Sequence, residues 1–244
     1  MALKGAGVHT EVTSDFMNEI GALGVVRRDD IGLVTLLVAT GPLGLRARFM
    51  KRALDIVVSL AALIVAAPIL LLAALAIKLE DGGPVLFRQR RIGRRNQLFS
   101  IYKLRTMSVN GSDADGHKST SKGDARITRV GNFLRKTSID ELPQLFNVLK
   151  GDMSLVGPRP HAIGSLAGEK LFWEVDQRYG HRHSLRPGLT GLAQVRGFRG
   201  ATDREDDLSK RLQADLEYLS GWTIWRDVGI LLATARVLVH DRAY

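Results

Sequence analysis

The segment Arg135-Lys136-Thr137-Ser138-Ile139-Asp140-Glu141-Leu142-Pro143 places two adjacent carboxylates directly after two cations, a combination suited to phosphoryl chemistry. An ionised Asp140 beside Arg135 and Lys136 can attack phosphorus or, with Glu141, hold a hard divalent ion. Mg²⁺ takes oxygen ligands and shares them with substrate phosphates, so both carboxylates are candidate metal ligands. Ser138, followed three residues later by Glu141, has the form of a capping box. That form predicts a helix whose first turn holds both carboxylates and tolerates Pro143, with the helix dipole keeping them ionised. The residues alone fit a well-capped surface helix equally well.

Several basic groups could meet a phosphate: Lys103 with Arg105, Arg135, Arg159 in Gly157-Pro158-Arg159-Pro160, and Arg186 in Arg186-Pro187-Gly188. Guanidinium forks match phosphate oxygens in pairs, and proline on either side of Arg159 stiffens the backbone that presents it. A further group, Arg196, Arg199 and Arg204 near Asp203, suits either solvent or a sugar diphosphate. His161, His181 and His183 are not spaced like a zinc helix motif, so metal binding by histidine is not expected. The chain has no cysteine, hence no disulfide or thiolate metal site. Without a Gly-x-x-x-x-Gly-Lys-Ser/Thr loop, a P-loop nucleotidase is not expected either.

Elements must place these groups. Val85 to Phe87 and Leu98 to Tyr102 read as two short strands around a basic loop, Gly93 to Asn96, that faces lipid or phosphate. Ser108 to Asp124 is rich in Ser, Gly and Asp and reads as a mobile loop, either a lid or a connection. From Arg126 the pattern turns helical, with Leu142, Leu145, Phe146 and Leu149 forming an apolar stripe. Leu208, Leu212, Leu216 and Leu219 repeat it. Trp222 to Val239 suits a helix in the headgroup layer or an ordinary core helix.

The longest apolar run, Ile56 to Ile77, is interrupted by Pro68 and bounded by Lys51 and Arg52 before it and by Lys78 and the Arg88 to Arg95 cluster after it. About 22 residues would just cross a bilayer core of roughly 30 Å. Proline breaks or kinks the helix into legs too short to span, and both flanks carry the charge that prefers the cytoplasmic face. A hairpin entering and leaving by one face satisfies both facts; a single kinked span is the alternative. A net charge of +10 and a pI near 10.2 predict an anionic partner, and the apolar run favours lipid headgroups or phosphorylated substrates over nucleic acid. The first 30 residues lack the features of a secretory signal.

The expected architecture is α+β and mainly helical. Residues 1–48 form a weakly structured or amphipathic arm, and 49–80 a re-entrant membrane helix-break-helix. Residues 81–244 form a cytoplasmic catalytic domain with a small β-hairpin and interfacial amphipathic helices.

From about Lys51 to Tyr244 the sequence resembles the bacterial sugar transferase family, the monotopic polyprenyl-phosphate phosphoglycosyl transferases. The resemblance rests on Lys51-Arg52-Ala53-Leu54-Asp55-Ile56, Gly83-Pro84-Val85-Leu86-Phe87, Arg91-Ile92-Gly93, Tyr102-Lys103-Leu104-Arg105-Thr106-Met107, Arg126-Ile127-Thr128, and Leu134 through Gln144. It continues in Asn147 to Lys150, Met153 through Pro160 and Arg186 through Gly191.

It implies a re-entrant helix, an active site at the cytoplasmic face of the bacterial inner membrane, and Mg²⁺-dependent transfer in two steps. Asp140 would attack the β-phosphate of a UDP-sugar and release UMP, and undecaprenyl phosphate would then take the phosphosugar. Glu141 would be the dyad partner. Lys103 and Arg135 match active-site basic residues of the family, whereas roles for Arg105, Arg159, Arg186 and Arg196 at the substrate phosphates are inferred.

Pro160-His161-Ala162, Arg196 to Asp203, and Asp215 to Leu219 before Trp222 look like the glucose-1-phosphate transferases of exopolysaccharide assembly. UDP-glucose is therefore the first donor expected, then UDP-galactose or an N-acetylated sugar. Ala67 stands where many members carry serine before the bend proline, and the multi-span N-terminal domain of larger members is not seen. Oligomeric state is left open, a homo-oligomer included. A membrane-bound binder of anionic ligands is the reading from a different class.

Overall fold

A computed structural model describes residues 24–28, 32–37, 43–109, 124–198, 202 and 204–239. Arg199, Asp203 and most of the Ser108 to Asp124 loop, with its lid reading, lie outside the described residues. Two compact units result, one ending at Thr40 and one from Gly41 onward. In the first, strands β1 (Gly24–Arg28) and β2 (Leu33–Leu37) pair antiparallel, Arg28 opposite Leu33, with Gly32 at φ +65° in the turn. This part of the arm is thus a β-hairpin, where the sequence suggested weak structure or an amphipathic segment. Val25-Val26 and Leu33-Val34 around Gly32 were its signal.

The second unit opens with α1 (Leu45–Asp81), a helix 37 residues long and so about 55 Å. It runs unbroken through Pro68, where the sequence led to an expectation of two legs. Pro68 lies on the exposed side of the helix, where its ring displaces no packed neighbour. It is also the helix, among the described residues, that is long and apolar enough to cross a membrane. Val57, Ile64, Val65, Leu71, Leu72 and Leu79 are exposed along it. Its opposite face is buried from end to end against one body. Val58, Ala62 and Leu63 pack on a core containing Ile101, Leu145, Val148 and Tyr218. Ala73 and Ile77 pack on Leu104 and Leu134.

Strands β3 (Leu86–Ile92) and β4 (Leu98–Leu104) form the expected hairpin, longer than read, with Phe87 opposite Lys103. The basic turn between them is a short 3₁₀ segment, Arg94–Asn96. Helix α2 (Arg129–Lys136) is capped by the Thr128 side chain, which accepts from the Gly131 N–H at 2.9 Å. Gly131 abuts the backbone of Thr106, so a Cβ there would lie 2.1 Å from a carbonyl oxygen. Helix α3 (Gln144–Lys150) starts later than the stripe suggested. It buries Leu145 and leaves Phe146 exposed, against expectation. Strand β5 (Ser154–Val156) pairs parallel with β6 (Gly188–Thr190). Gly157 and Gly188 let the two backbones touch just beyond it. Helices α4 (Glu205–Ser220) and α5 (Ile224–Val239) close the core. α4 buries Leu208, Leu212 and Leu219 as predicted. α5 buries Asp227 and Ile230 and exposes Trp225 and Leu232.

Asn147 joins two of these elements. Fully buried on α3, it donates from Nδ2 to the Ser100 carbonyl at 2.7 Å and accepts from the Tyr102 N–H at 2.9 Å. That pair of bonds fixes β4, and with it Lys103, against the helix that follows the dyad. Asn147→Leu strips a part-buried strand N–H and carbonyl of their partners and should cost about 1–3 kcal/mol. Thermal unfolding of the purified variant checks this; an unchanged midpoint would refute the bridging role.

Candidate active site

The dyad sits where α2 ends. Thr137 returns its hydroxyl to the Phe133 carbonyl at 2.9 Å, and Ser138 adopts a left-handed backbone, φ +57°. A capping residue needs an extended backbone, so the expected capping box does not form and the Ser138 side chain caps nothing. Asp140 and Glu141 lie instead on a single 3₁₀ turn, Ile139–Glu141, ahead of α3. A non-glycine residue held left-handed two positions before a buried carboxylate is the kind of local strain that sites retain.

The two carboxylates live in different surroundings. Glu141 is clamped: Lys103 Nζ donates to its Oε1 at 2.8 Å, and Arg159 spans both oxygens, at 2.6 Å and 3.2 Å. Burial alone would raise its pKa, but the Arg159 and Lys103 cations outweigh burial and hold it well below the usual range. Asp140 is 7% exposed and accepts no hydrogen bond from a described residue. Burial, opposed by Lys103 and reinforced by the Glu141 charge, pushes its pKa up to about 6. Arg135 and Arg159 pull the other way. The dipole-held ionisation expected of both carboxylates therefore describes neither.

Arg135 lies at the end of α2 with a buried Nη1 that has no partner. Arg91, from the end of β3, is lowered to about 10 by burial and by Arg159, with Glu141 opposing. Four cations, Arg91, Lys103, Arg135 and Arg159, thus surround two carboxylates. That leaves net positive charge for an anionic ligand.

Other candidates fall elsewhere. Arg105 is buried and committed elsewhere: it forks onto Asp81, donates Nε to the Pro84 carbonyl at 2.6 Å and Nη1 to the Met107 carbonyl at 3.0 Å, which engages four of its five N–H groups. Its guanidinium ties the end of α1 to the chain after β4 rather than facing the dyad. Asp81 answers by falling to about 2, chiefly through that hydrogen bond. Arg196 pairs with Glu217 on the surface, at 2.5 and 2.8 Å, beside Arg226. Arg186 lines a separate cavity near the start of α1. His161 and His183 stack at 5.6 Å within a cluster that includes Phe172 and Tyr179.

A family model described as bacterial sugar transferase matches residues 46–241, a span that includes the dyad and all four cations. The chain belongs to that family. Three similar relatives are an undecaprenyl-phosphate glucose phosphotransferase of Komagataeibacter xylinus (49% identical over 79% of this chain), the exopolysaccharide production protein PSS of Rhizobium leguminosarum (51% over 76%), and a UDP-glucose:undecaprenyl-phosphate glucose-1-phosphate transferase of Caulobacter vibrioides (48% over 88%). The matched part spans 36% of the first relative, 92% of the second and 81% of the third.

In this sugar transferase, two supporting residues carried no local signal. Arg182, buried, donates to the Arg159 carbonyl at 2.9 Å and to Asp215 at 3.0 Å, so it fixes the backbone that presents Arg159. The Ile92 N–H donates to the His161 carbonyl at 3.1 Å and ties the strand carrying Arg91 to the Pro-Arg-Pro segment. Arg91 stood in a matched motif but was not read as a site residue.

Proposed function

We propose that this protein transfers a sugar 1-phosphate, first choice glucose 1-phosphate, from a UDP-sugar to undecaprenyl phosphate, opening exopolysaccharide or glycoconjugate assembly. The observation that carries the reading is Asp140: buried, without a hydrogen bond from a described residue, and ringed by cations on the 3₁₀ turn ahead of α3. A carboxylate with no competing donor is a ready nucleophile, and its pKa of about 6 leaves it mostly ionised at neutral pH while keeping it more basic than an ordinary aspartate. Its oxygen would form a bond to the β-phosphorus as the bond from that phosphorus to the bridging oxygen breaks, and UMP leaves with the electron pair. An oxygen of the polyprenyl phosphate would then attack the same phosphorus and release the carboxylate of Asp140.

Arg135, Arg91 and Arg159 would neutralise the diphosphate, and Lys103 would steady Glu141. The donor set fits Mg²⁺ through Asp140 and Glu141, provided that Glu141 yields one oxygen from its cations and the diphosphate supplies the remaining ligands. Bound there, the ion would offset charge on the departing phosphate.

α1 supports a membrane placement. Lys51 near its start is held by Asp227 at 2.6 Å, and Asp81 at its end by Arg105. The helix from Lys51 to Asp81, about 45 Å, therefore lies along one body. A helix bound to one body at both ends favours keeping those ends on one side of a bilayer. This supports placement at the cytoplasmic face of the inner membrane, with the exposed apolar side in lipid.

Full-length protein in detergent, given Mg²⁺, undecaprenyl phosphate and in turn UDP-glucose, UDP-galactose and N-acetylated UDP-sugars, should release UMP fastest with UDP-glucose. Omitting the acceptor should leave a hexose-phosphate adduct on the intact chain by mass spectrometry. UMP release without any adduct on Asp140 would overturn the two-step route, and no release from any donor would overturn the function.

A further inference from the structure

We infer that the cavity at the start of α1 binds the phosphate headgroup of an anionic bilayer phospholipid, at a site separate from the dyad. Its volume is about 300 Å³, and Arg48 and Arg52 of α1, Arg94 of the β3–β4 turn, and Arg186 line it. Arg52 is already satisfied, donating to the Val148 and Leu149 carbonyls at the end of α3, 2.6 Å each. The side chains of the other three make no hydrogen bond or ion pair with a described residue, and the Nε of Arg94 is buried without a partner.

These guanidinium groups face one another. Arg94 feels Arg48 and Arg186, and Arg186 feels Arg52 and Arg48. The carboxylates facing Arg186 are engaged: Asp55 Oδ1 accepts from the Ser154 hydroxyl and the Leu155 N–H at 2.9 Å each, and Asp152 pairs with Lys150 at 3.1 Å. Asp55 is the one carboxylate that lines the cavity, against four arginines, and like charges in such excess cost stability unless an anion joins them. Such an anion would find several guanidinium donors in one concavity.

The rim decides which anion. Leu45 and Phe49 line the cavity and are 80% and 75% exposed, at the start of the helix that is long and apolar enough to cross a membrane. Apolar side chains beside an anion cradle suit a headgroup with acyl chains rather than free phosphate. The dyad cations Lys103, Arg135 and Arg159 do not line this cavity. Leu185 separates it from the narrow cleft that holds Arg159, lining both.

The inference rests on α1 lying in lipid and not on the chemistry at Asp140, so UMP release is a separate readout. The test is native mass spectrometry of the full-length protein in detergent, titrated with phosphatidylglycerol, with phosphatidylcholine, or with inorganic phosphate. One phosphatidylglycerol should be retained per chain at concentrations where phosphatidylcholine is lost, and millimolar phosphate should not displace it. R94Q/R186Q should weaken that binding on the order of tenfold or more, whereas R94K/R186K should keep most of it. Without lipid, R94Q/R186Q should melt no lower than the parent, because repulsion has been relieved; this separates a lost site from a misfolded chain. Equal retention of the two lipids, binding unaltered in R94Q/R186Q, or displacement by free phosphate would each overturn the assignment.

Discussion

Asp140→Asn should abolish turnover, by a factor on the order of 10⁴ or more, and at the same time raise the melting midpoint of the purified protein. The first effect follows because an amide of the same shape supplies no nucleophile. The second follows from the sign of the pKa shift. Burial lifts the folded-state value to about 6, above the ordinary aspartate value of 3.8, so the folded protein takes up the proton more readily than the unfolded chain. The contribution of Asp140 to stability is therefore full only below pH 4 and is lost as the pH rises through 6. At neutral pH the charged carboxylate costs on the order of 2–3 kcal/mol, which the amide avoids. The gain in midpoint should shrink as the pH falls toward 4.

Two controls sharpen this result. Turnover by the parent enzyme should show an acidic limb as Asp140 becomes protonated, and raising the Mg²⁺ concentration should move that limb to lower pH, because a bound cation favours the carboxylate. Glu141→Gln removes a negative neighbour that raises Asp140 and releases Lys103 and Arg159 to favour its charged form, so any residual activity should carry its acidic limb to lower pH. Finding full turnover in Asp140→Asn, or a midpoint lowered at pH 8, would remove Asp140 from the centre of the mechanism.

What the sequence disclosed and what it hid divide along separation in the chain. The β3–β4 hairpin was legible because Leu98 to Tyr102 and Val85 to Phe87 flank a turn, and the leucines of α4 because helical spacing is local. The pairing of acidic dyad with Lys103, Arg135 and Arg159 was legible as a set of residue types at motif positions. The role of each was not. Ser138 carries the letters of a cap, but the chain reverses there, and that depends on where α2 packs against Thr106. Arg105 reads like any phosphate-binding arginine until Asp81, 24 positions earlier, takes its fork. Asn147, 45 positions from Tyr102, and Arg182, 33 from Asp215, hold the site from behind through contacts that no local pattern announces. Lys51 shows the same limit. It reads as a cationic membrane flank, yet it is buried against a residue 176 positions away.

That last pairing yields the largest effect on stability. Lys51 Nζ donates to Asp227 Oδ2 at 2.6 Å, to the Val156 carbonyl at 2.9 Å and to the Tyr218 hydroxyl at 3.1 Å. The Tyr218 hydroxyl donates in turn to Asp227 Oδ1 at 2.7 Å, and the Trp222 indole N–H donates to Oδ2 at 3.2 Å. Asp227→Ala strips the carboxylate that is hydrogen-bonded to Lys51 and leaves the ammonium with two neutral oxygens and only the more distant charge of Asp55, itself held by Ser154 and Leu155. The cost should be about 3 kcal/mol, because breaking a buried pair leaves a poorly compensated charge in the core. For a unit of this size the melting midpoint should fall on the order of 10 °C.

Replacing both partners, as in K51M/D227L, should recover much of that loss, since an apolar pair needs no counter-charge. The consequence reaches catalysis by a defined path. Val156, the acceptor of Lys51, ends β5 and runs directly into Gly157-Pro158-Arg159, whose guanidinium clamps Glu141. Asp227→Ala should thus lower turnover even at temperatures where the variant remains folded. A variant with the parent's midpoint would show that α1 is not anchored here, and full activity below its melting point would show that the anchor does not reach the dyad.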